Sequence, residues 1–262
     1  MTEDYNEYLH KSKAYYDVRF GANGTTAYVP HAEEELRWNR IRMAVEQHAA
    51  SMAGKAEILD FGCGRGWMSS RLAEMGKVLG VDLSNEAIET ARSRYPGIEF
   101  SCIDASDSRR VTLDRQFDVV VSSEVIEHVL KQEEYIQNII SLLKPGGLLV
   151  LTTPNGRWKE HFYHGGRNEW AQPYELWLTG RQLTAIMKDM LDVDYIHSFN
   201  ANWVIDLPSF GWPHVLGNRF FRIIAGSLGL KSRYLSFLER NGFGINLLFV
   251  GKKKRAGSNH GS

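Results

Sequence analysis

The chain has 262 residues, 31 basic against 31 acidic side chains, and is 43% hydrophobic and 24% charged. That length can bury a substantial core as one large α/β domain, alone or with a cap, and the composition is that of a globular protein. Balanced charge supplies no global field for nucleic acid or an anionic membrane, which argues against a polyanionic substrate. No apolar segment follows a basic start, so a secretory leader is not expected, and no apolar run approaches the ~20 residues of a spanning helix. Cys63 and Cys102 each end an expected buried strand and read as small core or loop residues rather than a disulfide. The expected location is cytoplasmic.

Residues 1–50 read as a helical segment apart from the core, with an aromatic and polar stretch from Tyr5 to Phe20, a Gly-Ala-Asn-Gly-Thr-Thr loop, and helical spacing from Glu33 to His48. Two roles are open for it: a helix packed on the sheet edge, or a lid over a ligand with Tyr15, Tyr16 or Arg19 facing the pocket. From Glu57 the chain alternates strand and helix, which implies parallel pairing and a sheet covered on both faces. Strands are expected at 57–61, 77–82, 98–102, 117–122 and 148–152, with helices at Met68–Met75, Asn85–Tyr95 and Glu133–Leu143. Ser84 is a plausible N-cap, and Glu86 sits in the favourable first turn. Lys144-Pro-Gly-Gly147 stops a helix and turns into the next strand. A helix at Thr179–Leu191, a strand at 192–199 and a last strand Ile245–Val250 follow.

Residues 203–240 fall outside this alternation. They carry five basic residues (Arg219, Arg222, Lys231, Arg233, Arg240) against two acids, Asp206 and Glu239, among many apolar ones. A basic amphipathic stretch can lie on a membrane; the favoured reading is a cap that shapes the active site. The expected organisation is therefore a lid at 1–50, a core at 51–202 and 241–252, and a cap at 203–240.

The most informative stretch is Ile58-Leu-Asp60-Phe-Gly62-Cys63-Gly64-Arg-Gly66. Three closely spaced glycines let the backbone turn sharply and approach a ligand. The dinucleotide fingerprint, G-x-G-x-x-G, has another spacing and leaves a helix N-terminus free for a pyrophosphate. Here a carboxylate stands beside the turn, which repels a pyrophosphate and suits a cationic ligand. Asp82, closing the second strand, can accept hydrogen bonds from both ribose hydroxyls, with Leu83 beside it; Asp104 and Ala105 follow the third strand, where Asp104 can bond an adenine amino group. Asp118, at the start of a strand, reads as structural. The ordered set of Asp60, the glycines, Asp82, Asp104 and Lys144-Pro-Gly-Gly resembles the class I S-adenosylmethionine-dependent methyltransferases. The resemblance covers about 55–155. It implies a Rossmann-like seven-stranded doubly wound sheet and a cofactor site at Asp60, Gly62, Cys63, Gly64, Gly66, Asp82, Leu83, Asp104, Ala105 and Glu124.

After the fourth strand the chain reads Ser123-Glu124-Val-Ile-Glu127-His128. This is similar to the Glu-x-x-Glu-His element of ubiquinone-pathway O-methyltransferases and of small-RNA 2′-O-methyltransferases. Three readings compete: His128 as general base, an imidazole being mostly neutral at pH 7; Glu124, Glu127 and His128 as ligands of Mg²⁺; or a helix N-terminus with acids on its dipole. The RNA enzymes' downstream histidine has no match in Gln172–Thr179, so the general base is favoured and no metal is. An aromatic and polar stretch, Trp158 to Trp177, either stacks on a ligand or walls the cap. The expected activity is O-methylation of a small-molecule hydroxyl (a sugar, quinol or natural-product intermediate). The alternatives are RNA 2′-O-methylation, N-methylation, and a catalytically silent cofactor-binding module. Nucleic acid is disfavoured as a partner, and peripheral membrane contact through 203–240 stays open.

Overall fold

The computed structural model of the chain describes residues 2–21, 30–103, 113, 115–159, 175–201 and 230–255. Helices α1 (Thr2–Gly21) and α2 (Ala32–Ala49) lead into β1 (Ala56–Phe61), α3 (Trp67–Leu72), β2 (Gly76–Asp82), α4 (Asn85–Arg94) and β3 (Glu99–Cys102). Then come β4 (Phe117–Ser123), a 3₁₀ turn (Ile126–His128), α5 (Gln132–Ser141) and β5 (Leu143–Pro154). A second 3₁₀ turn (Gly156–Trp158), α6 (Gly180–Met187), β6 (Leu191–Phe199), α7 (Leu230–Arg240) and β7 (Asn246–Lys253) complete the described elements.

The strands form one seven-stranded sheet in the order β3-β2-β1-β4-β5-β7-β6. The strands from β1 to β5 pair in parallel, whereas β7 runs antiparallel to both neighbours, β5 and β6. The last strand thus departs from the all-parallel pairing that alternation implied: β7 is inserted between two strands that precede it and runs against both.

Strand alternation explains why both faces are covered. Leu59, Phe61, Val120, Leu149 and Leu151 join Tyr135, Ile136 and Ile139 of α5 and Leu183 and Met187 of α6 in one core. Their neighbours Ile58, Val119, Val121, Leu148 and Val150 face the other way, onto Trp38, Ile41, Ala44 and Val45 of α2 and Met68 and Leu72 of α3. Both sets are apolar, so the strands read as continuous hydrophobic runs. α2 therefore packs on a sheet face, against β5 and β7, and not on the sheet edge.

Other boundaries differ in ways that have physical causes. Lys144-Pro-Gly-Gly147 lies within β5, where pairing jumps from Phe117↔Leu143 to Val119↔Leu148. The four residues form a bulge with Gly146 at φ +82°. Lys144 Nζ there bonds Asp118 Oδ2 at 3.0 Å, the oxygen that also accepts the Glu57 N–H at 2.9 Å. Asp118 is structural, clamping the amino ends of β1 and β5. The expected helix 179–191 is shortened to α6, with Thr179 as its N-cap in a capping box with Gln182. Of the expected cap, α7 alone is described: Leu238 packs with Ala201, Tyr234, Leu235 and Phe243, and Glu239 accepts from Arg40 and from the Asn200 N–H. Residues 202–229 lie outside the described residues. Among the described residues no helix is long and apolar enough to cross a membrane.

Candidate active site

Chain order reverses beside β1, which pairs with β2 on one side and β4 on the other. Such a switch point opens a crevice at the carboxyl ends of the strands. Leaving β1, the backbone turns at once: the N–H groups of Gly62 and Cys63 both donate to Val81 O, at 2.8 and 2.9 Å. Gly62 has φ +81°, and a Cβ there would stand 2.3 Å from Val125 Cγ2. Only glycine fits that position. The Gly64 N–H then donates to Asp82 Oδ2 at 2.8 Å, while the Ser84 N–H donates to Oδ1 at 2.9 Å. The loops after β1 and β2 are thus fastened to one carboxylate.

Helix α1 lies over this crevice. Tyr8, Ser12, Tyr16 and Phe20, one stripe of the helix, line a cavity of about 150 Å³ together with Gly62, Gly64, Asp82, Leu83, Ile103, Val125 and His128. A second compartment of about 350 Å³ adjoins it, lined by Arg19, Arg37, Asp60, Cys63, Arg65, Trp67 and Ser123 among others. Tyr16, Phe20, Gly62, Gly64, Glu124 and His128 border both. α1 is tied to three strand-end loops. Ser84 Oγ donates to Asp17 Oδ1 at 2.6 Å, Arg65 Nη2 to Phe20 O at 2.5 Å, and Tyr8 Oη to His128 O at 2.5 Å.

The acid-histidine element leaves β4 through Glu124, a non-glycine residue at φ +57°. Its Oε2 stands 3.4 Å from both Arg37 Nη2 and Asn246 Nδ2. Among the described residues its buried Oε1 has no hydrogen-bond partner, and neither has Nε of Arg37. Glu127 is buried; its Oε2 accepts from Thr153 Oγ1 at 3.0 Å and its Oε1 is 3.6 Å from His128 Nε2. The Glu127–His128 segment is a 3₁₀ turn and not the first turn of a long helix. Among the described residues no group of three or more histidine, cysteine or acidic side chains is arranged to hold a metal ion.

Burial dominates the electrostatics here. It raises the Asp60 carboxyl to about 7, against the Ser69 hydroxyl that donates to it at 2.5 Å. Burial also raises Asp82, opposed by the backbone N–H groups of Ser84 and Gly64. Glu124 is raised by burial, with the Arg37 guanidinium pulling the other way. Glu127 is pushed well above its usual value by burial and then by the Glu124 charge. Carboxyls so displaced, in a cleft, mark a candidate site.

The crevice gathers Asp60, Gly62, Cys63, Gly64, Asp82, Leu83, Glu124 and His128. Gly66 stands apart, at φ +80° as the N-cap of α3, where a Cβ would meet Phe100 Cζ at 2.8 Å; it serves packing of the loop on β3. Asp104 and Ala105 lie outside the described residues, as do 160–174 of the aromatic stretch. Tyr15 does not line either compartment, whereas Tyr16 and Arg19 do. Sequence reasoning missed Tyr8, Ser12 and Arg37. The signal for the first two was available, since 8, 12, 16 and 20 are spaced for one helical stripe.

Residues 30–204 match the methyltransferase-domain family. A probable S-adenosylmethionine-dependent methyltransferase of Mycobacterium tuberculosis is 27% identical over 203 residues, 76% of this chain and 72% of that protein. A ubiquinone biosynthesis O-methyltransferase of Coxiella burnetii is 34% identical over 131 residues, 48% of this chain and 54% of that protein. Among solved structures, the N-methyltransferase NodS from Bradyrhizobium japonicum, in complex with S-adenosylhomocysteine, has a TM-score of 0.59 at 14% identity, covering 93% of this chain and 98% of its own, which bears on fold alone. With that fold and that family match over most of the sheet, the chain belongs to the methyltransferase-domain family and is an S-adenosylmethionine-dependent methyltransferase of class I.

Proposed function

We propose that the chain methylates a hydroxyl of a small molecule, with His128 as general base. The observation that carries this reading is the position of His128 on the border of both compartments, with the Glu127 carboxyl 3.6 Å from its Nε2. The residues present suit the cofactor: a glycine turn that no side chain fills, and a buried donor on Arg37 and acceptor on Glu124 that have no partner among the described residues. Asp82 would take the ribose hydroxyls, Leu83 and Ile103 would flank the base, and Arg37 would meet the methionine carboxylate. Asp60 beside Gly62 would favour the cationic ammonium. Bound there, the cofactor supplies a methyl group already activated by its sulfonium.

What remains for the protein is positioning and proton removal. Nε2 of His128 lies 3.6 Å from Glu127 Oε1, and the imidazole takes the acceptor's proton as the methyl moves to oxygen. The imidazolium so formed keeps the acceptor's proton and is stabilised by the Glu127 carboxyl oxygen 3.6 Å away. The ubiquinone O-methyltransferase relative, itself named for O-methylation, supports the hydroxyl over other nucleophiles.

The test is S-adenosylhomocysteine production across hydroxylated acceptors, with wild type and His128→Ala compared at saturating cofactor. His128→Ala should lower kcat by roughly 10²–10⁴-fold, the usual range for a general base, and leave cofactor affinity unchanged. EDTA should have no effect. Activity abolished by EDTA and restored by Mg²⁺ would instead make Glu124, Glu127 and His128 metal ligands. An unchanged kcat would exclude both roles.

A further inference from the structure

We infer that Tyr8 is a positioning residue that couples cofactor occupancy, through α1, to the placement of His128; this rests on the general-base reading of His128. Tyr8 is 3% exposed, and its hydroxyl donates to the backbone oxygen of a residue 120 positions later in the chain. The acceptor belongs to the residue whose imidazole borders both compartments. Two turns along the same stripe, the Tyr16 ring meets the His128 ring edge-on, with centroids 6.3 Å apart. α1 therefore holds the histidine by its backbone and touches it on its ring.

The turn that carries His128 has little stiffness of its own. It is three residues long, its N-cap Val125 makes no side-chain cap bond, and it follows Glu124 at φ +57°. A one-turn 3₁₀ segment is poorly self-supporting, so an outside donor such as the Tyr8 hydroxyl has leverage on it. On its other side Glu127 is fixed to β5 through Thr153. His128 thus sits between a rigid sheet and a helix that contributes one wall of the cavity.

A cofactor spanning both compartments touches that helix, whose Tyr16 and Phe20 border the two. The compartment beneath α1 measures about 150 Å³ and shares six lining residues with the adjoining one of about 350 Å³. Its floor is set by strand ends and its roof by Tyr8, Ser12, Tyr16 and Phe20, and the roof is the part able to yield. A nucleoside that lifts or rotates α1 moves the Tyr8 hydroxyl, and the His128 carbonyl bonded to it moves with it. The Ser84–Asp17 and Arg65–Phe20 bonds tether the rest of α1 to the loops that hold the nucleoside, so the displacement is carried to Tyr8.

The experiment is a long-range ¹H–¹⁵N spectrum of the histidine rings in the full chain, with the His128 signals assigned by their loss in His128→Gln. S-adenosylhomocysteine is titrated into wild type and into Tyr8→Phe, which keeps the ring and removes the donor. In wild type the ligand should shift the His128 ring signals. In Tyr8→Phe it should bind with a dissociation constant within about threefold of wild type while the His128 shift falls to less than half. A merely structural tyrosine would alter melting temperature without uncoupling that shift, so melting is recorded for both proteins. An equal ligand-induced shift in the two proteins overturns the coupling, as does the absence of any shift in wild type. Failure of the general-base reading has a separate signature, an unchanged kcat in His128→Ala.

Discussion

Asp60 is buried at the carboxyl end of β1 and titrates near 7 because burial disfavours its charge. An unfolded aspartate titrates near 3.9, so between about pH 4 and 7 the folded chain holds a proton that the unfolded chain has lost. Stability due to this group is present at low pH and declines as pH rises through that window, by at most about 1.4 kcal/mol per pH unit. Urea unfolding at pH 5 and 7 should show Asp60→Asn gaining on wild type as pH rises; parallel behaviour of the two would remove Asp60 from the titration. Gly62→Ala faces a different constraint, a left-handed φ and a Cβ 2.3 Å from Val125 Cγ2. It should cost more than about 1 kcal/mol of stability and weaken S-adenosylhomocysteine binding. Wild-type affinity and melting in that variant would show that Val125 gives way. At this scale the sequence was highly legible where chemistry and backbone agree, as at Asp60, Gly62 and Asp82. It was less so at Gly66, whose glycine answers to Phe100 across the loop, a contact that spacing alone cannot reveal.

Ser84 illustrates how one element serves two others. Its hydroxyl accepts the Ala87 N–H at 3.2 Å as the N-cap of α4 and donates to Asp17 on α1 at 2.6 Å. Loss of an N-cap costs about 1 kcal/mol. Ser84→Ala should lose that and loosen α1, seen as faster amide exchange of α1 residues; Ser84→Asp should restore the cap while repelling Asp17. Equal exchange of α1 in wild type and Ser84→Ala would mean that the other two ties hold it. The cap was readable from the run Ser84-Asn-Glu86, since capping is local. The placement of α2 was not: Glu33 to His48 announced a helix, but which surface it covers depends on Val119, Val121, Leu148 and Val150, far along the chain. For α1, a lid with Tyr15, Tyr16 or Arg19 facing the pocket was one of two readings the sequence offered, but it did not single out Tyr8 and Ser12, which line the cavity with Tyr16.

At the scale of the molecule, seven strands were countable from apolar runs, and the parallel half followed from alternation with helices. The antiparallel insertion of β7 between β5 and β6 could not be read locally, because a strand's neighbours are set by the core as a whole. The same sheet order makes the crevice, which brings Asp60, Asp82 and Glu124 together from three strand ends. The central claim is that this crevice is the cofactor site, and calorimetric titration of S-adenosylhomocysteine tests it directly. Wild type should bind in the micromolar range and NAD should not bind. Asp82→Ala should weaken binding by about 2–4 kcal/mol, since two ribose hydroxyls lose a charged partner. An Asp82→Ala protein with wild-type affinity for S-adenosylhomocysteine would contradict the account.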